Sequence, residues 1–173
     1  MTRHDLLPTE HAPYYSNYIS QSGEGDLIES LEISLHELIR FVREIPMDKY
    51  DYRYAEGKWT IKDILQHLID AERIFSYRAL RFARKDATPL PGFEENDYAA
   101  TANGSHRSIQ ELLTEFSAVR TSTLLLYKSF DEEMLKAAGT ASGQQVSVRA
   151  LGFIMVGHAQ HHIRVFRERY LAE

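Results

Sequence analysis

The chain contains no cysteine. Disulfides and thiolate metal ligands are thereby excluded, and cysteine usage says nothing about the redox compartment. Glycine and proline are sparse, nine and five of 173 residues, too few for a loop-dominated or low-complexity chain. The longest apolar run, around Ala150 to Val156, is too short to cross a bilayer, so no membrane association is expected. The N-terminal stretch Met-Thr-Arg-His-Asp-Leu-Leu-Pro lacks the apolar centre of a secretory signal, and a cytoplasmic protein is the expectation. Positive charge is not in excess either. Twenty Lys and Arg against 25 Asp and Glu give a net charge of −5, which offers no general attraction to phosphate backbones, and nucleic acid is not an expected partner.

Certain catalytic motifs are missing too. There is no His-Glu-x-x-His of a zincin protease, no Glu-x-x-His pair of a di-iron bundle, and no glycine-rich phosphate loop after a strand.

What is present is helical periodicity. Four segments repeat apolar residues at i, i+3, i+4 and i+7, the pattern of helices with one buried face. The first runs from about Asp26 to Ile45 on a stripe of Leu27, Leu31, Leu35, Leu38 and Phe41/Val42. The second opens on Thr60 with Asp63 three residues later, a capping box, and continues to about Arg84. The third opens on a second box, Ser108-Ile-Gln-Glu111, and turns Leu112, Phe116, Val119, Thr123 and Tyr127 inward. The fourth spans about Val148 to Tyr170. No segment alternates over enough residues to require a sheet. The reading is an all-α, single-domain four-helix bundle over residues 1–173. The links 46–59, 85–107 and 131–147 are long enough to leave the order of the helices open, and residues 1–25 read as an extended arm on the bundle or a partner.

Three histidines fall on the buried stripes. His67 lies three after Ile64 and four before Ala71, so it points inward with them. On the fourth helix the stripe is Val148, Leu151, Met155, His158, His162 and Val165. The i, i+4 pair puts two Cβ atoms about 5–6 Å apart, which suits two imidazoles converging on one ion. A lone histidine on an apolar face is more often a satisfied core residue, but two successive buried imidazoles carry a desolvation cost that a metal would offset. His161 is rotated about 100° from His162 and should face a neighbouring helix or solvent. His4, His11, His36 and His106 lie outside the pattern and read as surface residues. Asp63 and Asp70 flank His67 at i−4 and i+3; either could orient its ring, although a capping role for Asp63 and solvation for Asp70 are the simpler readings. Arg120, four after Phe116, either meets a substrate carboxylate or, more simply, snorkels past the core. Glu94, Glu95 and Asp97 sit in the long second link without a supported role.

The stretch Gly57-Lys-Trp-Thr-Ile-Lys-Asp-Ile-Leu-Gln-His67, followed far downstream by Gly157-His158-Ala-Gln-His161-His162, resembles the DinB/YfiT-like superfamily. The likeness runs from about Leu27 to Tyr170. It implies a four-helix bundle, often a homodimer, with a divalent metal on His67, His158 and His162. Zinc or nickel fits such a site first, with manganese or iron next. Three neutral ligands leave coordination positions open, as in catalytic sites. Some members are thought to activate small thiols, so the resemblance implies a thiol-dependent S-transferase taking a small-molecule thiol and an electrophilic substrate. Metal-assisted hydrolysis, or a metal-stabilised dimeric stress-response or binding protein without turnover, are the alternatives.

Overall fold

The computed structural model describes residues 1–172. Its elements, in chain order, begin with three single 3-10 turns and the short helix α1 (Ser16–Ser20). The long helices α2 (Leu27–Glu44) and α3 (Ile61–Ala83) follow, then α4 (Glu95–Ala102), the long α5 (Ile109–Lys128) and the short α6 (Glu132–Lys136). A hairpin of β1 (Ala138–Ala141) and β2 (Gln144–Ser147) leads into α7 (Val148–Val165), which ends in a π-helical turn, Phe166–Tyr170. None of these helices is long and apolar enough to cross a membrane.

The helices start where their capping chemistry sits. Thr60 N–H donates to Asp63 Oδ2 and Asp63 N–H returns to Thr60 Oγ1, both at 3.0 Å. Ser108 and Glu111 make the same exchange at 2.8 and 3.2 Å. Each pair satisfies donors that the first helical turn leaves without partners. The expected four long helices are all present, with the starts of all four within one residue of the expectation.

Helix α3 packs against α5 and α7, and α2 packs against the same two. The four therefore form a ring in the order α2, α5, α3, α7. Direction follows from the core, which is split into two apolar clusters. One joins Leu27 and Leu31 of α2 and Leu151 of α7 to Phe82 of α3 and Tyr127 of α5. The other joins Leu38 of α2 and Ile163 of α7 to Ile61 and Leu65 of α3 and Leu112 of α5. The N-terminal halves of α2 and α7 thus meet the C-terminal halves of α3 and α5, an up-down-down-up arrangement. No two consecutive long helices are antiparallel neighbours. Two links must cross a diagonal and one must return along the bundle, which is why all three are long.

Polar side chains occupy the break between the clusters. Arg120 of α5 is 1% exposed and uses all five N–H groups. It forks Glu72 of α3 (Nε to Oε1 2.6 Å, Nη2 to Oε2 2.8 Å) and donates to the Leu31 carbonyl and Ser34 hydroxyl of α2 and the Met155 carbonyl of α7. It therefore neither snorkels nor faces a ligand. A carboxylate 48 residues away holds it inside the bundle, where a bidentate, fully hydrogen-bonded pair is tolerated.

Two other expectations are corrected. The 131–147 link contains a small antiparallel hairpin, with Ala138 opposite Ser147 and Ala141 opposite Gln144. Its two-residue turn, Ser142 and Gly143, has φ of 52° and 73°, the left-handed pair that hairpins favour. Four-residue strands are too short to show alternation, so periodicity missed them. The second departure is the N-terminal arm, which is folded into turns rather than extended, because Pro8 and Pro13 each start a 3-10 turn. The arm ends in α1, which buries Ile19 and lies on α7 at Gly157. A Cβ on residue 157 would stand 1.7 Å from the Tyr18 carbonyl oxygen, so only glycine allows this approach. Upstream, the Glu10 carboxylate accepts from Arg149 Nε and Ser147 Oγ, each at 2.7 Å, which pins the arm to the start of α7.

Candidate metal centre

Helices α3 and α7 are ring neighbours, and their facing stripes bring His67, His158 and His162 together. His158 Nε2 lies 3.0 Å from His67 Nε2 and 3.1 Å from His162 Nε2, and all three candidate ligand atoms are within 4.8 Å of one another. The side chains are 7–8% exposed. Burial pushes the His67 imidazole down to about 4. His158 and His162 are held well below the ordinary histidine range, again mainly by burial and then by a neighbouring imidazole, His67 for His158 and His158 for His162. All three are neutral at pH 7, the form that offers a lone pair to a metal.

The arrangement does not satisfy itself. A ring nitrogen has one in-plane lone pair or one proton, so His158 Nε2 cannot make two good hydrogen bonds at once to the neutral rings of His67 and His162. A cation drawn into the gap would take all three lone pairs at once. Nitrogens bound tetrahedrally at 2.0–2.1 Å stand about 3.4 Å apart, close to two of the separations found here. No carboxylate or thiolate joins the cluster among the described residues, so the ion would keep its full charge and have open positions. The donor set therefore fits a divalent metal.

The surroundings are aromatic. Trp59 lies on His67 with ring centroids 5.0 Å apart, and Tyr18 stands edge-on to His158 at 5.2 Å. His162 Nδ1 is buried without a hydrogen-bond partner. Metal-binding histidines usually fix this nitrogen on a carbonyl or carboxylate; here packing alone orients the ring. Asp63 and Asp70 do not supply that support to His67. Asp63 holds Thr60, Ser105 and Arg53, and Asp70 accepts from Gln66. His161 stays outside the three-nitrogen cluster, half-buried with its ring 5.3 Å from Tyr18. His4, His36 and His106 are exposed and His11 is half-buried.

Two cavities of about 270 Å³ each meet the cluster from different sides. His67 and His158 line the first, with the tyrosines of the N-terminal arm, Phe75 and Arg78. His162 and His161 line the second, with Trp59, Tyr54 and Tyr170. Asn96 of α4 borders both. The arm tyrosines and Arg78 escaped sequence reasoning. For Arg78 a signal existed: eleven residues after His67 is within about 20° of three full helical turns, so both lie on one face.

Among curated relatives, a protein of Geobacillus thermodenitrificans named "Putative metal-dependent hydrolase" is 26% identical over 111 residues, which cover 63% of this chain and 62% of that protein. A Bacillus cereus protein with the same description is 22% identical over 150 residues, 86% of each chain. Among solved structures, YfiT from Bacillus subtilis, described as "a probable metal-dependent hydrolase with an unusual four-helix bundle topology", superposes with a TM-score of 0.71 at 17% identity over 82% of both chains. A mycothiol-dependent maleylpyruvate isomerase superposes with a TM-score of 0.66 at 14% identity over 95% of this chain but only 62% of its own. At these identities the superpositions establish the fold. The family model described as the DinB superfamily matches residues 30–166, from α2 through the three histidines, and the chain belongs to that superfamily.

Proposed function

We propose that His67, His158 and His162 bind one divalent metal ion and that the centre catalyses the attack of a small thiol on an electrophilic small molecule. The observation that carries this reading is the placement of three neutral imidazoles where two separate cavities meet. A bound dication supplies charge that lowers the pKa of a coordinated thiol. The chain does the rest by position. Trp59, Tyr18 and Phe75 pack against the imidazoles and hold the rings in place. The Tyr18 hydroxyl is pushed up by burial, so it stays protonated and acts as a donor rather than a base. One cavity then holds the thiol and the other the electrophile. In the transfer the sulfur forms its bond to the electrophilic carbon, the leaving group departs with its electron pair, and the thiol proton passes to solvent. Metal-assisted hydrolysis is the second reading, favoured by the names of the Geobacillus and Bacillus relatives.

Metal analysis of protein purified without a polyhistidine tag should give about one ion per chain. His158→Ala and His162→Ala should lose the ion while keeping a folded bundle, and His161→Ala should retain it. The loaded protein, assayed with a panel of thiols against 1-chloro-2,4-dinitrobenzene and separately with activated esters, then separates transfer from hydrolysis. Less than a tenth of an equivalent of metal after reconstitution would end both enzymatic readings.

A further inference from the structure

Three arginines are buried among the described residues. Arg120 is paired with Glu72 and Arg149 with Glu10. Arg78, 3% exposed, has no carboxylate partner. Its Nη2 donates to the Pro91 carbonyl at 2.9 Å and to Ser142 Oγ at 3.1 Å. Those two bonds fasten the loop after α3 to the hairpin turn and hold the guanidinium still. Its further contact is with the hydroxyl of Tyr15, a neutral partner, so no acid balances its charge among the described residues, and Arg78 lines the cavity that His67 and His158 also line. A buried cation without a counter-ion is costly, and an arginine fork is the group best shaped to take a carboxylate. The two carboxylates on the same cavity, Glu94 and Glu95, are exposed and form no ion pair with it.

The spacing adds a constraint. His67 and Arg78 share a face of α3, about 16 Å apart at their Cα atoms by helix rise, and a helical side chain leans back toward the N-terminus. Both side chains line one cavity, with Ala71 and Phe75 of the same helix between them.

We propose that Arg78 receives the carboxylate of the small molecule that reacts at the three histidines. The substrate class is then an acid whose carboxylate and reacting atom sit at opposite ends of an apolar spacer. This rests on the metal-centre reading above, and the test separates the two.

Cobalt(II)-loaded full-length protein would be titrated with ω-mercaptoalkanoates of increasing length and with mercaptoalkanols matched to each. The sulfur-to-cobalt charge-transfer band reports thiolate coordination. At the best length the acid should bind about 10- to 100-fold more tightly than the alcohol, the worth of a charge-assisted hydrogen bond. Arg78→Met should bring the acid down to the level of the alcohol and leave the alcohol unchanged, while Arg78→Lys should keep part of the preference. Equal binding of acid and alcohol by the unaltered protein would overturn the assignment whether or not the variants fold. So would an equal loss for both ligands in a folded Arg78→Met protein, which marks a purely structural arginine. If no cobalt is taken up, or neither series gives the band, the metal or thiol reading fails instead. Isothermal titration of the metal-free protein with octanoate against octanol then decides Arg78 by itself: a preference for octanoate that Arg78→Met removes upholds it, and no preference overturns it.

Discussion

Two groups of buried polar side chains lie side by side in the middle of the bundle, and they are built on opposite plans. Around Arg120 every donor has an acceptor, and the acceptors come from all three other long helices. Around His158 three ring nitrogens face one another with no arrangement of protons that satisfies them, and His162 Nδ1 has no partner. Burial is the same in both, with every central residue under 9% exposed. The contrast lies in closure. A polar network that closes on itself clamps helices together, whereas one left open keeps its bonding capacity for something that arrives from outside. Arg78 repeats the open plan with a cation in place of lone pairs.

The comparison breaks most readily at the closed network. Glu72→Ala strands the Arg120 charge and should cost about 3–5 kcal/mol in urea unfolding. Replacing both residues by methionine should recover most of that loss. A single-variant cost under about 1 kcal/mol would mean that the network does not clamp the helices.

Acid should reach the open cluster next. His67 has a folded-state pKa of about 4 against an ordinary 6.5. Between those values the unfolded chain holds a proton that the folded chain does not, so metal-free protein loses stability as pH falls from about 6.5 to about 4. His67 alone contributes on the order of 3 kcal/mol to this loss, and His158 and His162 act in the same direction. Thermal melts across this range should show the decline, and the variant lacking both His158 and His162 should show a flatter profile. An equally steep profile in that variant would place the acid sensitivity elsewhere.

The smallest expected effect concerns the cover over the open cluster. Gly157→Ala must push α1 away from α7, because the new Cβ would overlap the Tyr18 carbonyl. A cost of about 1–3 kcal/mol is expected in a thermal melt, as for other overpacking changes. Unchanged stability would show that the arm is not seated on residue 157.

Much of this was legible because it is local. The stripes of α2 and α3, the boxes at Thr60 and Ser108, and the inward set of His67 with the i, i+4 pair are decided within a few turns of chain. What escaped depends on partners far off in sequence. Arg120 could be placed on an inward stripe, but Glu72 48 residues away could not be named as its partner. The up-down-down-up order emerges only when Leu31 and Phe82 share one cluster and Leu38 and Ile61 the other. The hairpin offered Ser142-Gly143 as a turn signal, yet its strands carry no alternation to support it. Tyr18 reaches the histidines only because Gly157 lets a backbone touch a backbone.

The chain has a single tryptophan among ten tyrosines, and that residue, Trp59, stands 5.0 Å from the ring of His67. The protein thus carries its own optical probe at the place where it matters. Excited selectively, the indole emits from the rim of the three-histidine cluster. A paramagnetic ion settling there quenches it, and a ligand entering the cavity beside Tyr54 and Tyr170 changes the polarity it senses. Occupancy of the centre can be followed by emission in untreated protein, with no label and no turnover.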